Sequence, residues 1–192
     1  GLPWVKQQVR WGLLDPEPGN IDWSLLDLMV PAASAKGLKL MLSVVTAPDW
    51  ARPPSADLSK HGPPADYQDY ASFLTAILQR YPGQLHAIEV WNEQNIDREW
   101  SEPAGLSAAR YVELLGTAQR AVRAVDPGVI VISGALSPVG YTNTDPDNPA
   151  RIIFMDDFDY FDRMVAAGFL NYCDCVGAHH NGINMPPNVV WD

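Results

Sequence analysis

The sequence predicts an α/β fold built on a parallel sheet, and two observations carry that prediction. Short apolar or β-branched runs alternate strictly with longer amphipathic ones, in the order βαβαβαβαβ. Strands joined by helical crossovers run parallel. The segments after the strands are long and carry Trp, Asn, Glu and His. Chemistry-bearing residues at the carboxyl ends of strands are what a (β/α)8 barrel presents at its C-terminal face. The alternative is an open, doubly wound nucleotide-binding sheet, which places a glycine-rich turn after its first strand. Here that turn is Arg10-Trp11-Gly12, and neither G-x-G-x-x-G nor G-x-x-x-x-G-K-[ST] occurs. The expected architecture is therefore a (β/α)8 TIM barrel, in part. A whole barrel takes eight strands and about 250 residues. Residues 1–192 supply about five of the eight βα units, equivalent to strands 2–6, as a single segment incomplete at both ends.

Taken in order, Trp4 to Arg10 has strand character, and Asp15 to Asn20 is a turn rich in Pro, Gly and Asn. A helix is expected from Asp22 to Lys36, with Leu26, Met29, Val30 and Ala33 inward at helical spacing and Gly37 as its stop. Pro31 lies inside it and predicts a kink or a break. Leu38 to Val45 is an apolar run suited to a strand covered on both faces. A Pro-rich loop, Ala47 to Pro64, leads to a helix from Asp66 to Arg80 with Tyr70, Phe73, Leu74, Ile77 and Leu78 inward. His86 to Trp91 is the third strand. Ser107 opens a helix to Val125, stopped by Asp126-Pro127-Gly128. Val129 to Ser133 is the fourth strand and Gly140 to Ala150 a polar loop. A helix from Asp156 to Ala167 is expected to turn Phe158, Phe161, Met164 and Val165 inward, before a fifth strand at Cys173 to Ala178. His179 to Asp192 has no clear pattern.

Composition bounds the partners. The formal net charge is −10, and so acidic a chain repels phosphate backbones and anionic headgroups. Nucleic acid and membrane surfaces are excluded as partners on that ground. No apolar run reaches the roughly 18 residues of a spanning helix. Gly1-Leu2-Pro3-Trp4 carries no basic leader region, so no signal peptide is expected in this segment, and the compartment is left open. Cys173 and Cys175 sit at C-x-C spacing, tighter than redox or zinc pairs, and read as buried free thiols.

The chemistry concentrates at Ile88-Glu89-Val90-Trp91-Asn92-Glu93-Gln94-Asn95. A buried strand ends in Asn-Glu with an aromatic ring just before. A carboxyl group at that tip would be partly desolvated, which favours its neutral form and suits a general acid. Protonating a glycosidic oxygen requires such a group. Asn92 both donates and accepts, which suits a sugar hydroxyl. The plain alternative is a solvated strand-end carboxylate beside a turn-forming asparagine.

Trp91-Asn92-Glu93-Gln94-Asn95 resembles the fourth-strand motif of glycoside hydrolase clan A, and is most similar to family 39, the β-xylosidase and α-iduronidase relatives. Tyr111-Val112-Glu113-Leu114, Val131-Ile132-Ser133-Gly134-Ala135 and Val176-Gly177-Ala178-His179 resemble the helix and strands that follow in that family. The resemblance implies a retaining glycosidase in which Glu93 is the acid/base, Asn92 binds the substrate 2-hydroxyl and His179 lines the sugar subsite. It implies an oligo- or polysaccharide substrate and no cofactor. Two positions depart from the pattern: Gln94 replaces a proline, and Asn181 stands where a tyrosine is usual. The family nucleophile is a glutamate after a seventh strand, which no residue of this sequence matches, so the segment alone is expected to be inactive.

Trp11, Trp50 and Trp91 follow three successive strands and are candidate platforms for pyranose rings. The bland alternative for each is a packed core residue. Adjacent His179 and His180 lack H-x-H or H-x-x-x-H spacing, so no metal is expected. Asp156, Asp157 and Asp159 fit a helix N-terminus better than a cation site. Asp15 and Glu17 read as a solvated loop. A carbohydrate-binding or scaffold protein that keeps the cleft without catalysis is the second functional expectation. Unpaired sheet edges predict self-association.

Overall fold

The computed structural model describes residues 3–180. Its centre is a parallel sheet of β1 (Trp4–Arg10), β2 (Lys39–Val45), β3 (Ala87–Val90) and β4 (Ile130–Ser133), in the order β1-β2-β3-β4. The register aligns Val9 with Val44 and Val44 with Val90. A sheet that adds strands in chain order, without reversing direction of growth, is that of a barrel rather than a doubly wound fold. The fifth strand expected at Cys173 to Ala178 is reduced to two parallel bridges, Ile132 to Cys175 and Leu136 to Ala178.

The helices lie on one face of the sheet. They are the short α1 (Trp11–Leu14), then α2 (Ser24–Ala35), α3 (Tyr67–Arg80), α4 (Ala108–Val125) and α5 (Asp157–Ala166). The core forms where they meet the strands: Leu42, Val44, Ile88, Val90 and Val131 are fully buried against Leu26, Leu74, Ile77, Leu114 and Leu115. Removing this much apolar side chain from water is the main drive for the fold. The other sheet face carries Lys6 and Glu89, whose ammonium and carboxylate lie 2.6 Å apart. Ser43, aligned with Glu89 on the intervening strand, is wholly buried.

Helix starts follow the sequence. Asp66 caps α3 by accepting from the Gln68 N–H, Ser107 caps α4 through the Arg110 N–H, and Asp156 caps α5 through the Phe158 and Asp159 N–H groups. α2 runs through Pro31 without the expected break; Pro31 is exposed, so the unmatched carbonyl faces water. Gly37 ends α2 with a positive φ of 65°.

Three expectations are corrected. The loop at Gly140 to Ala150 contains an antiparallel hairpin, β5 (Asn143–Asp145) with β6 (Asn148–Phe154), turned at Pro146 and Asp147. Asn-Thr-Asp has little strand propensity of its own. The hairpin is held by tertiary contacts: Arg151 pairs with Asp97 and Asp145, and Phe154 bridges to Ile96. α5 turns Met164 and Phe161 inward as expected, but Phe158 and Val165 are exposed and Tyr160, four residues before Met164, is buried in their place. Cys175 is exposed and Cys173 half-buried, because no regular strand covers them.

Candidate active site at the strand tips

Among the described residues, three non-glycine residues take positive φ, and all lie where strands of the sheet end: Thr46 (63°) after β2, Trp91 (74°) and Glu93 (49°) after β3. Such backbone is costly for residues with a Cβ and persists only where the surroundings enforce it. Here the enforcing bonds are visible. The Trp91 N–H donates to the Val44 carbonyl at 3.1 Å, and the Glu93 N–H donates to the Ala135 carbonyl at 2.8 Å. From below, the Tyr70 hydroxyl of α3 donates to the Val44 carbonyl at 2.7 Å. The Tyr111 hydroxyl of α4 donates to the Val90 carbonyl at 3.0 Å and accepts from the Gly134 N–H at 2.6 Å. Two consecutive βα units thus use the same device, a helix tyrosine fastened to a strand end. Burial pushes both phenols well up from their ordinary pKa and keeps them neutral donors.

Glu93 is only 7% exposed. Its Oε1 lies 3.1 Å from His179 Nδ1 and its Oε2 3.3 Å from an Arg98 guanidinium nitrogen. Strand tip, histidine and arginine therefore meet at one carboxyl group. Asn92, beside it, is half-exposed. The structure brings Glu93 and His179 into contact across more than eighty residues of chain, since His179 follows the segment bridged to β4.

The next two residues anchor the turn. Gln94 is fully buried and its amide donates to the Gly134 carbonyl at 2.8 Å. Asn95 donates to the Ser137 and Met155 carbonyls and accepts from the Ser137 N–H. The Gln94 departure is thus a buried hydrogen-bonded replacement. Asn181, and with it Trp191, lies outside the described residues.

The tryptophans are placed differently from expectation. Trp11 and Trp91 are 0% and 1% exposed, so neither offers a ring face to a ligand. They belong to a buried aromatic row: Phe73 stacks on Trp11, Trp11 meets Tyr70, Tyr70 meets Trp91, Trp91 meets Trp100 and Trp100 meets Tyr111, with centroids 5.3–6.1 Å apart. The row fills the layer between strand ends and helices and supports the tips from beneath. Trp50 is only half-buried, with its indole N–H on the Asp15 carbonyl at 2.8 Å. Asp15 is itself buried, accepting from the Trp11 indole at 3.1 Å, and is not a solvated loop residue. His86 lies at the opposite end of β3, where its Nδ1 accepts from the Leu40 N–H.

Sequence reading missed Arg98. It sits five residues after Glu93 in an irregular loop, and no periodicity marks it. It also missed the ion-pair lattice that ties the loops together, in which Arg151 pairs with Asp97, Lys60 reaches Asp97 at 2.6 Å and Arg110 reaches Glu102 at 2.7 Å.

No protein-family model matches the chain. Over 53 residues, 26% of this chain and 8% of its relative, the sequence is 42% identical to the β-galactosidase BgaA of a Thermus species. Among solved structures, the chain is similar to a family 39 glycoside hydrolase from the gut symbiont Bacteroides cellulosilyticus, with a TM-score of 0.64 and 17% identity over 92% of this chain and 32% of that one. It is also similar to the catalytic domain of the family 30 xylanase C from Talaromyces cellulolyticus, with a TM-score of 0.60 and 13% identity over 92% of this chain and 43% of that one. The chain spans about a third of the first structure and less than a tenth of the β-galactosidase. In fold, residues 3–180 are part of the TIM barrel on which these clan A glycoside hydrolases are built.

Proposed function

We propose that this chain carries the proton-donating half of a retaining glycosidase site. Glu93 gives its proton to the glycosidic oxygen as the bond breaks and takes one from water in the second step. Asn92 holds a hydroxyl of the sugar beside that bond, and His179 fixes the carboxyl rotamer through Oε1. The observation that carries the reading is a single one: a glutamate 7% exposed at a parallel strand tip, with histidine and arginine on its two oxygens. Residues 1–192 form one catalytic-barrel segment in this proposal. The substrate is an oligo- or polysaccharide, and the attacking carboxylate is supplied from outside these residues. The purified segment is therefore expected to leave aryl glycosides intact.

The test uses a form of the protein that turns over glycosides. Glu93→Gln should abolish hydrolysis of substrates with poor leaving groups and spare activated aryl glycosides, whose departure needs little proton donation. Equal loss on both overturns the acid role.

Arg98 favours a second reading. A carboxylate paired with a guanidinium accepts hydrogen bonds rather than donating a proton. In a non-catalytic carbohydrate-binding protein the pair would hold sugar hydroxyls. Saccharide binding that survives in a protein with no hydrolysis, and is lost in Glu93→Gln, would favour that reading.

A further inference from the structure

The segment that delivers His179 to Glu93 is not a regular strand. It meets β4 and the residues after it through two parallel bridges, Ile132 to Cys175 and Leu136 to Ala178. Around the first bridge, the Asp174 N–H donates to the Val131 carbonyl at 2.8 Å and the Ser133 N–H to the Cys175 carbonyl at 3.1 Å. Between the bridges stands Gly177, whose N–H donates to the Ser133 hydroxyl at 3.2 Å. Ser133 is buried.

The approach at Gly177 leaves no room for a side chain. A Cβ there would overlap the Ser133 carbonyl oxygen, and would stand 2.9 Å from the Ala135 nitrogen and 3.1 Å from Glu89 Oε1. The first two are main-chain atoms and cannot swing aside. The third belongs to a buried carboxylate whose other oxygen is held by Lys6 at 2.6 Å. Gly177 has no positive φ, so it is the close approach, and not the backbone angle, that demands glycine. Residues two apart in an extended segment share a face. The space closed at 177 is therefore on the side from which His179 reaches Glu93 Oε1 at 3.1 Å. One stretch of main chain, Ser133 to Ala135, carries both partners of that contact. The Ala135 carbonyl accepts from the Glu93 N–H at 2.8 Å, and Ser133 seats Gly177. How closely 177 sits on 133 thus sets the spacing of imidazole and carboxyl.

We propose that Gly177 and Ser133 are positioning residues for the acid/base: their close contact places the His179 ring on Glu93 Oε1. The catalytic meaning of this rests on the glycosidase reading; the positioning is a property of the folded chain alone.

A double-mutant cycle in the 192-residue chain tests the positioning without any need for turnover. Urea denaturation is run on Glu93→Ala, His179→Ala and the double variant. Residues in contact couple, and the cycle isolates that coupling. It should be present in the parent chain and vanish when the cycle is repeated on Gly177→Ala. A glycine that served packing alone would lower the denaturation midpoint and leave the coupling in place. If Gly177→Ala does not unfold cooperatively, Ser133→Ala replaces it; this removes the acceptor, adds no bulk, and should weaken the coupling by half or more. A coupling that the substitution leaves unchanged, or that the parent chain lacks, overturns the inference. In a form of the protein that hydrolyses glycosides, Gly177→Ala should slow substrates with poor leaving groups about tenfold, within what general acid catalysis supplies, and spare activated aryl glycosides. It should add nothing to His179→Ala. Equal slowing of both substrate types overturns the positioning role. Should Glu93→Gln itself slow both equally, the acid role falls, and the coupling alone decides the positioning.

Discussion

At the scale of single residues, the turn that carries Glu93 is held by groups outside it, the Tyr111 hydroxyl on the Val90 carbonyl and the Ala135 carbonyl on the Glu93 N–H. Glu93 and Asn92 stand out because a strand ending in Asn-Glu is a local pattern, whereas His179 is singled out only through the resemblance that this motif carries. Trp11 and Trp91 could not be sorted from platforms, since a tryptophan beside a strand end reads the same whether its face is covered or open. Only the neighbouring rings, from helices far along the chain, decide it. Tyr111 is the sharpest test of how the tip is held. Tyr111→Phe leaves the Val90 carbonyl and the Gly134 N–H without their buried partner and should cost about 1–3 kcal/mol, measured by urea denaturation. Tyr160→Phe removes a hydroxyl that is unpaired among the described residues and should cost less. The thiols give a second test. Burial raises Cys173 to about 11, and its side chain is half-covered, whereas Cys175 is exposed. Iodoacetamide at neutral pH should label Cys175 first, since the thiolate is the reactive form; peptide mapping reads the order.

At the scale of elements, helix ends were readable because their caps are short-range. Asp156 lies two and three residues from the N–H groups it accepts from, so Asp156→Ala should cost about 1 kcal/mol in thermal or chemical unfolding. The β5–β6 hairpin shows the opposite case. Its first strand, Asn143–Asp145, is polar, and its fixing charges, Asp97 and Arg151, are far apart in sequence. A second long-range device joins α2 to α3. Arg80 donates to both Asp27 oxygens, and the Tyr81 hydroxyl donates to one of them at 2.7 Å. The Arg80 bonds hold Asp27 down to about 2 from 3.8, while burial, and then the bond to Asp27, raises Tyr81 to about 12 from 10.0. The signs follow from linkage. What Asp27 contributes is complete above the unfolded value and is lost as pH falls through about 2. What Tyr81 contributes is complete below its unfolded value and is lost as pH rises through about 12. Asp27→Asn should therefore flatten the fall of melting temperature between pH 4 and 2, a range set by those two carboxylate values.

At the scale of the whole molecule, the architecture was legible because alternation fixes parallel pairing and handed crossovers leave few topologies. The fifth strand predicted at Cys173 to Ala178 is only two bridges long, since a short apolar run takes strand geometry only from neighbours that pair along its length. β1 borders the sheet with no strand on its outer side among the described residues, and Trp4 and Val5 on it are 39% and 37% exposed. An open edge of this kind invites pairing with another chain. Sedimentation velocity should reveal concentration-dependent association, and Val5→Lys should reduce it. The aromatic row has one more consequence. Three indoles shut away from water in edge-on contact with other rings should emit towards the blue and exchange excitation along the row. Tryptophan fluorescence then becomes an optical gauge mounted beside the strand tips, dimming or reddening when those tips loosen.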